Sequence, residues 1–258
     1  MERHIVVCIK AVMARTPKKH VVRAPDVLEL NPFDQPALEV ALRTREERGG
    51  TVTAISMGPE TGAFALSEAM AMGVDRGILV SDPALAGSDT LATSTALAAA
   101  MNKVGAFDLV LFGIRTADSD TGQVGPQTAV LLGLPLVTGV SSIEHRDTAL
   151  IVERRADGFR ERFEVSLPAA LTIHPGSVQP RDLGLSGIEQ AFEQGGIEKW
   201  ALADLGLSPE QVGWAGSGTR VPSWTHVGRE KHCEFLSGAA EEQADELVKR
   251  LVTLGLIG

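Results

Sequence analysis

The chain has 258 residues, 44% of them hydrophobic, and a formal charge of -9 at pH 7 with an isoelectric point near 5.2. That apolar content is enough for a full core and excludes a disordered chain, while the acidic balance excludes nonspecific nucleic-acid binding, which needs a basic surplus to release counterions from phosphate. Cys8 and Cys233 stand far apart with no cysteine or histidine at metal-ligand spacing, which excludes a disulfide framework and a metal site and fits the reduced cytosol.

The amino terminus, MERHIVVCIK, reads as a strand followed by a basic RTPKKH loop and lacks the apolar core of a signal peptide. No run approaches the ~18 apolar residues of a membrane span. A cytoplasmic protein without direct membrane insertion is expected. Along the first half, HIVVCI (4–9), TVTAISM (51–57), GILVS (77–81) and DLVLFG (108–113) are short, apolar runs suited to parallel strands buried on both faces. Between them QPALEVALRTREER, TGAFALSEAMAMG and DTLATSTALAAAMNKVG carry helical periodicity, the last two ending at glycines suited to close a helix. Right-handed βαβ crossovers then give an α/β, doubly wound, mostly parallel sheet that binds ligands beyond the carboxyl ends of its strands.

After GPQTAVLLGLP the pattern changes. Residues 136–173 read as several antiparallel strands with turns at Arg146-Asp147 and Ala156-Asp157-Gly158. Residues 174–200 are punctuated by proline and glycine around a short helix, 213–224 read as a linker, and 238–255 as an amphipathic helix with Leu247, Val248, Leu251 and Leu254 on one side. The expected domains are a nucleotide-binding domain over 1–212, including the segment 174–200, and a linker with a C-terminal helical arm over 213–258.

The stretch DSDTGQVGP (118–126) sits between a strand and a helix. Gly122 and Gly125 permit close backbone approach, and Pro126 suits the first helical turn. The amides of such a turn, with the positive end of the helix dipole, form an anion site that needs no lysine. Thr121, Gln123 and Thr128 are further donors to phosphate, and an ordinary helix cap is the competing reading. Loops KA (10–11) and SMGP (56–59) end two other strands, so a doubly wound sheet brings three loops to one crevice. In NPFDQ (31–35), Asn31 or Asp34 reads as the cap of the next helix, and in GSDTLATS (87–94) Ser88 or Asp89 does the same. The hydroxyls of Ser88, Thr90, Thr93 and Ser94 also suit a sugar, pyrophosphate or flavin edge. There is no GxSxG elbow, Walker motif or GxGxxG fingerprint, and His4, His20, His145, His174, His226 and His232 show no metal spacing. No catalytic constellation is expected.

Taken together, NPFDQPALEVAL, SMGP, GSDTLATS and FGIRTADSDTGQVGPQTAVLLGLP resemble the β subunit of electron transfer flavoprotein over almost the whole chain. The resemblance implies a Rossmann-like, adenine-nucleotide-binding fold and a heterodimer with an α subunit. It also implies electron transfer from flavin dehydrogenases to a quinone reductase or other acceptor. It places a nucleotide against Lys10, Ala11, Asn31, Pro32, Phe33, Met57, Gly58, Gly113, Asp120, Thr121, Gly122, Gln123, Val124, Gly125, Gln127 and Thr128, with Ser88, Asp89, Thr90, Thr93 and Ser94 alongside. In ordinary members that nucleotide is AMP; in the electron-bifurcating branch it is FAD, with NADH as a hydride source, and the present sequence is more similar to the latter. A second FAD is shared with the α subunit. Leu185 matches the leucine anchor of the family's partner-recognition segment, with Ile188 and Glu189 beside it. The lysine-rich stretch that usually follows is replaced here by Glu189 and Glu193, which implies an unusual dehydrogenase partner or weakened docking to common ones. The competing class is a stress-protein-like regulatory module that binds ATP or AMP without redox chemistry; an ATP-pyrophosphatase lacks its SGGxDS-type loop here.

Overall fold

The computed structural model describes residues 2–13, 28–193, 195–221, 223 and 233–258. The basic RTPKKH stretch and part of the 213–224 segment lie outside these described residues, as do His20, His226, His232 and the side chain of Glu193. The chain divides into two units, Met1–Arg220 and Val221–Gly258. Residues 213–220 therefore fall in the first unit, where the sequence places the start of a linker.

The first unit is built on a nine-stranded sheet. Its strands are β1 (Arg3–Cys8), β4 (Gly50–Met57), β5 (Arg76–Val80), β6 (Leu109–Gly113), β7 (Leu136–His145), β8 (Ala149–Ala156), β9 (Phe159–Ser166), β10 (Ala169–Ile173) and β11 (Ile197–Trp200), while β2 (Ala11–Met13) and β3 (Leu28–Leu30) form a separate antiparallel pair. The order is β11-β5-β4-β1-β6-β10-β7-β8-β9, parallel from β11 to β7 and antiparallel beyond. The helices are α1 (Gln35–Arg48), α2 (Ala63–Ala71), α3 (Thr90–Val104), α4 (Val124–Leu131), α5 (Leu185–Glu193) and the single turn α6 (Gly213–Gly216).

Alternation along the central strands sorts the core into two layers. Ile5, Val7, Leu109 and Leu111 meet Leu38, Leu42 and Leu66 of α1 and α2. Val6, Cys8, Val110 and Phe112 face Leu97, Met101 and Ala129 of α3 and α4. The chain thus covers one face with α1 and α2, then crosses to the other after β5, and the switch lies at the carboxyl ends of β1, β4 and β6. Asp157 and Gly158 have φ of +50° and +81°, which closes the β8–β9 hairpin with the left-handed pair such a two-residue turn demands.

Two sequence expectations need correction. The run of antiparallel strands includes β10, which instead inserts between β6 and β7, parallel to both. All five of its residues are buried, the mark of a strand covered on both faces rather than a hairpin arm. Residues 174–200 are also less irregular than they read, because they contain both α5 and β11, which extends the parallel sheet beside β5.

The second unit contains α7 (Ala240–Thr253). Leu247, Val248, Val252 and Leu254 are exposed. No helix among the described residues is long and apolar enough to cross a membrane.

Candidate functional site

Three strand ends meet at the switch point. Ile9 N donates to Ile55 O at 2.9 Å, which holds the exit of β1 beside β4. On the other flank Cys8 pairs with Phe112 of β6. Lys10 and Ala11 therefore emerge between Met57 and Gly58 on one side and Gly113 on the other. A Cβ on Gly58 would meet nothing within 4 Å, so that backbone faces open space.

The segment 31–34 locks these ends together, and its polar atoms do not cap α1 as the sequence reading proposes. Asp34 is the residue before α1, yet its side chain makes no cap hydrogen bond. Its carboxylate accepts from Lys10 N at 2.9 Å, and the Gly113 backbone packed against it also favours its ionised form. Asn31, fully buried, donates from Nδ2 to Arg115 O at 2.9 Å and accepts at Oδ1 from Ala117 N at 3.1 Å. Gly113 is required by this packing, since a Cβ there would lie 2.2 Å from Asp34 Oδ1 and 2.5 Å from Phe33 O. Burial raises the Asp34 carboxyl from 3.8 to about 7 despite the opposing hydrogen bonds and the Lys10 charge. Burial and the Asp34 charge likewise push the Cys8 thiol up.

Above this layer lie charges, of which Asp118 and Arg115 are not among the expected nucleotide contacts. Lys10 Nζ pairs with Asp118 at 2.6 Å; burial opposes ionisation of Asp118, but the lysine holds its carboxyl below the usual range. Arg115 stacks over the Phe33 ring at 4.6 Å and pairs with Asp120 at 3.2 Å. Pro32 is exposed at the rim.

Asp120 and Gly122 then take φ of +53° and +62°, turning the chain into α4 through Gln123. Among the described residues, the backbone amides of Thr121, Gly122, Gln123, Val124 and Gly125 have no hydrogen-bond acceptor. Gly125 is required from below, where a Cβ would meet Phe112 and Thr172 at 3.1 and 3.2 Å. Successive free amides at a helix start, without a side-chain cap at Gln123, are donors of the kind that an anion can accept from. Thr128 is fully buried and its hydroxyl has no partner among the described residues.

The hydroxyl-rich start of α3 forms one wall. Thr90 Oγ1 donates to Gln123 Oε1 at 3.0 Å, and Ser94 Oγ, which donates to Thr90 O at 2.7 Å, also lies 3.3 Å from Gln127 Oε1. Thr93 is half-buried on the same turn. Asp89 caps α3 through Ala92 N at 2.9 Å, as the sequence predicts for Ser88 or Asp89, whereas Ser88 Oγ donates to Leu85 O at 2.8 Å. A separate cavity of about 270 Å³, lined by Val40, Thr44, Val140 and His145, sits beside α1 and includes none of these loop residues.

The segment 174–200 is placed through Arg181, which bonds Glu39 and Glu46, each at 2.7 Å. Helix α5 then rests on α2, where Gly187 lies so close that a Cβ would be 2.3 Å from Ala71 O. Leu185 is 88% exposed. Ile188 and Glu189 are also exposed, and Phe192 packs on Phe64 with ring centroids 5.6 Å apart.

The electron transfer flavoprotein domain matches residues 19–205. The chain is 40% identical over 222 residues to the electron transfer flavoprotein subunit beta of Thermoanaerobacterium thermosaccharolyticum, covering 86% of this chain and 85% of that one. It is 45% identical over 193 residues to the caffeyl-CoA reductase-Etf complex subunit CarD of Acetobacterium woodii, covering 74% and 73%. Protein FixA of Azotobacter vinelandii is 40% identical over 235 residues, covering 84% and 82%. These matches favour electron transfer over the regulatory nucleotide-binding module. The chain belongs to the electron transfer flavoprotein family, as a beta subunit that transfers electrons in partnership with an alpha subunit.

Proposed function

We propose that the crevice at the ends of β1, β4 and β6 holds an adenine nucleotide whose phosphates sit on the amides of Thr121 to Gly125. The observation that carries this reading is the run of amides without acceptors at the start of α4. A phosphate supplies the acceptors that the protein does not. Lys10, Ala11, Asn31, Pro32, Phe33, Met57, Gly58 and Gly113 form the floor and sides, and Asp120, Gln127 and Thr128 complete the loop. Of the two nucleotides that fit, the reading favours FAD over AMP. The half-buried Thr90 and Thr93 lie beside the cradle with Ser94, and Ser88 and Asp89 support that wall from behind.

A bound flavin supplies the redox chemistry. This chain's residues orient it, keep its phosphates in place and offer no acid or base of their own. A second FAD is shared with the alpha subunit, and NADH is the hydride source if the complex bifurcates electrons. Leu185, Ile188 and Glu189 meet a flavin dehydrogenase, with a quinone reductase or another protein as the acceptor. Glu189 gives that surface an acidic edge, which steers a partner with a basic rim. Glu189→Lys should lower the electron-transfer rate with the native partner at low salt; an unchanged rate contradicts this assignment.

The test of the nucleotide reading is a count of FAD and AMP released by acid from the co-expressed heterodimer. Two FAD and no AMP are expected. One FAD with one AMP keeps the nucleotide site but assigns it to AMP, and neither FAD nor AMP overturns the reading.

A further inference from the structure

Residues 213–219 cross the start of α3 and are pinned there. Gly213 N donates to Ser88 Oγ and Trp214 N donates to Ala86 O, both at 2.9 Å. Asp89 N donates to Ser217 Oγ at 2.8 Å, and Ser217 Oγ donates to Gly213 O at 2.6 Å. Asp89 uses both carboxylate oxygens at once: Oδ1 accepts from Ala92 N and Oδ2 from Thr219 N, each at 2.9 Å. Gly213 has φ of +60°, and a Cβ on it would lie 1.8 Å from Ala84 O, so the strap enters by a path open only to glycine.

On its other side the same turn of α3 meets the cradle. Thr90 reaches Gln123 at 3.0 Å, and Ser94 Oγ lies 3.2 Å from Val124 O. The strap ends at Arg220, the last residue of the first unit. One carboxylate therefore serves the helix turn that backs the cradle and the point from which the C-terminal arm departs.

We propose that Asp89 is a shared anchor, holding the root of the C-terminal arm and the Gln123 side of the nucleotide loop on one helical turn, so that securing either stabilises the other. The anchor stands on the strap contacts alone; the coupling rests on the nucleotide reading above. Linkage is reciprocal. A partner that grips the arm therefore slows nucleotide loss, and a bound nucleotide tightens the arm's root.

Limited trypsin digestion of the full chain tests this, because the Arg220–Val221 bond lies where the strap ends and the resulting fragment is identified by mass. Asp89→Asn places an amide donor against a backbone donor, and Ser217→Ala removes the strap's bond while leaving the α3 cap. Each should speed this cleavage roughly fivefold if the strap's opening is rate-determining, with folding checked by circular dichroism. Wild-type rates in both variants overturn the anchor. Saturating AMP should slow the cleavage in the wild type by roughly two- to fivefold and have little effect in Asp89→Asn. AMP that binds by calorimetry yet leaves the wild-type rate unchanged overturns the coupling. If AMP does not bind, the same comparison is made with FAD, where an unchanged wild-type rate overturns the coupling, while the ligand-free comparison of variants still decides the anchor.

Discussion

Residues 113–117 and residues 121–125 follow the same strand, but their polar groups are used in opposite ways. In the first segment Gly113 packs against Asp34, and the Arg115 carbonyl and the Ala117 amide are both taken up by Asn31. In the second, successive amides have no acceptor among the described residues. Asn31 and Asp34 are buried and need partners, so the first segment is scaffold, whereas Thr121 and Gln123 are exposed, which leaves the second segment's amides open to the ligand proposed above. The difference separates residues that shape the crevice from those proposed to bind in it.

Disturbing the scaffold should have the largest effect. Gly113→Ala forces a Cβ against a buried carboxylate and a backbone carbonyl and is expected to cost about 3 kcal/mol or more in urea unfolding. A loss below about 1 kcal/mol would mean that the 31–34 segment yields easily and does not set the crevice. Asn31→Ala strands Arg115 O and Ala117 N and should cost about 2–4 kcal/mol, measured the same way.

Asp34 adds a pH signature. Its folded carboxyl titrates at about 7 against an ordinary 3.8, so the folded chain holds this proton more tightly than the unfolded one. Asp34's contribution to stability is therefore greatest below pH 4 and falls as pH rises to 7. Asp34→Asn should remove that slope, so that wild type loses ground relative to the variant between pH 4 and 7 in denaturation curves. Parallel pH dependences would contradict the buried, shifted carboxyl.

The binding segment should respond in reverse. Gly122→Ala, at φ of +62° with a Cβ 3.2 Å from Ile114 O, should cost only about 1–2 kcal/mol in stability yet lose most of the retained nucleotide. Full nucleotide content in a folded variant would place the phosphate elsewhere.

The same contrast explains what the sequence made legible. The central strands and α1 to α4 follow from apolar runs and helical periodicity, both local signals. The glycines and amides of DSDTGQVGP were equally readable, because a helix start and a left-handed turn are decided within a few residues. Asp34 was not: beside a helix it reads as a cap, whereas its acceptor role depends on Lys10 and Gly113, which only the folded sheet brings near. The direction of β10 was hidden because an apolar run does not state which neighbours it will pair with. Strand β11 has the polar Glu198 and Lys199 in its middle and is fixed by pairing with β5, a contact invisible in four residues. Asp89 shows both sides, since its cap to Ala92 is local and its hold on Thr219 spans 130 residues.

Amide hydrogen exchange of the loop tests the central claim most directly, comparing nucleotide-loaded and nucleotide-stripped heterodimer. The amides of Thr121 to Gly125 should exchange rapidly when stripped and become strongly protected when loaded, while those of Lys10, Gly113 and Ala117 remain protected in both states. Equal exchange at 121–125 in the two states, with new protection appearing elsewhere, would contradict the assignment of this loop as the phosphate cradle.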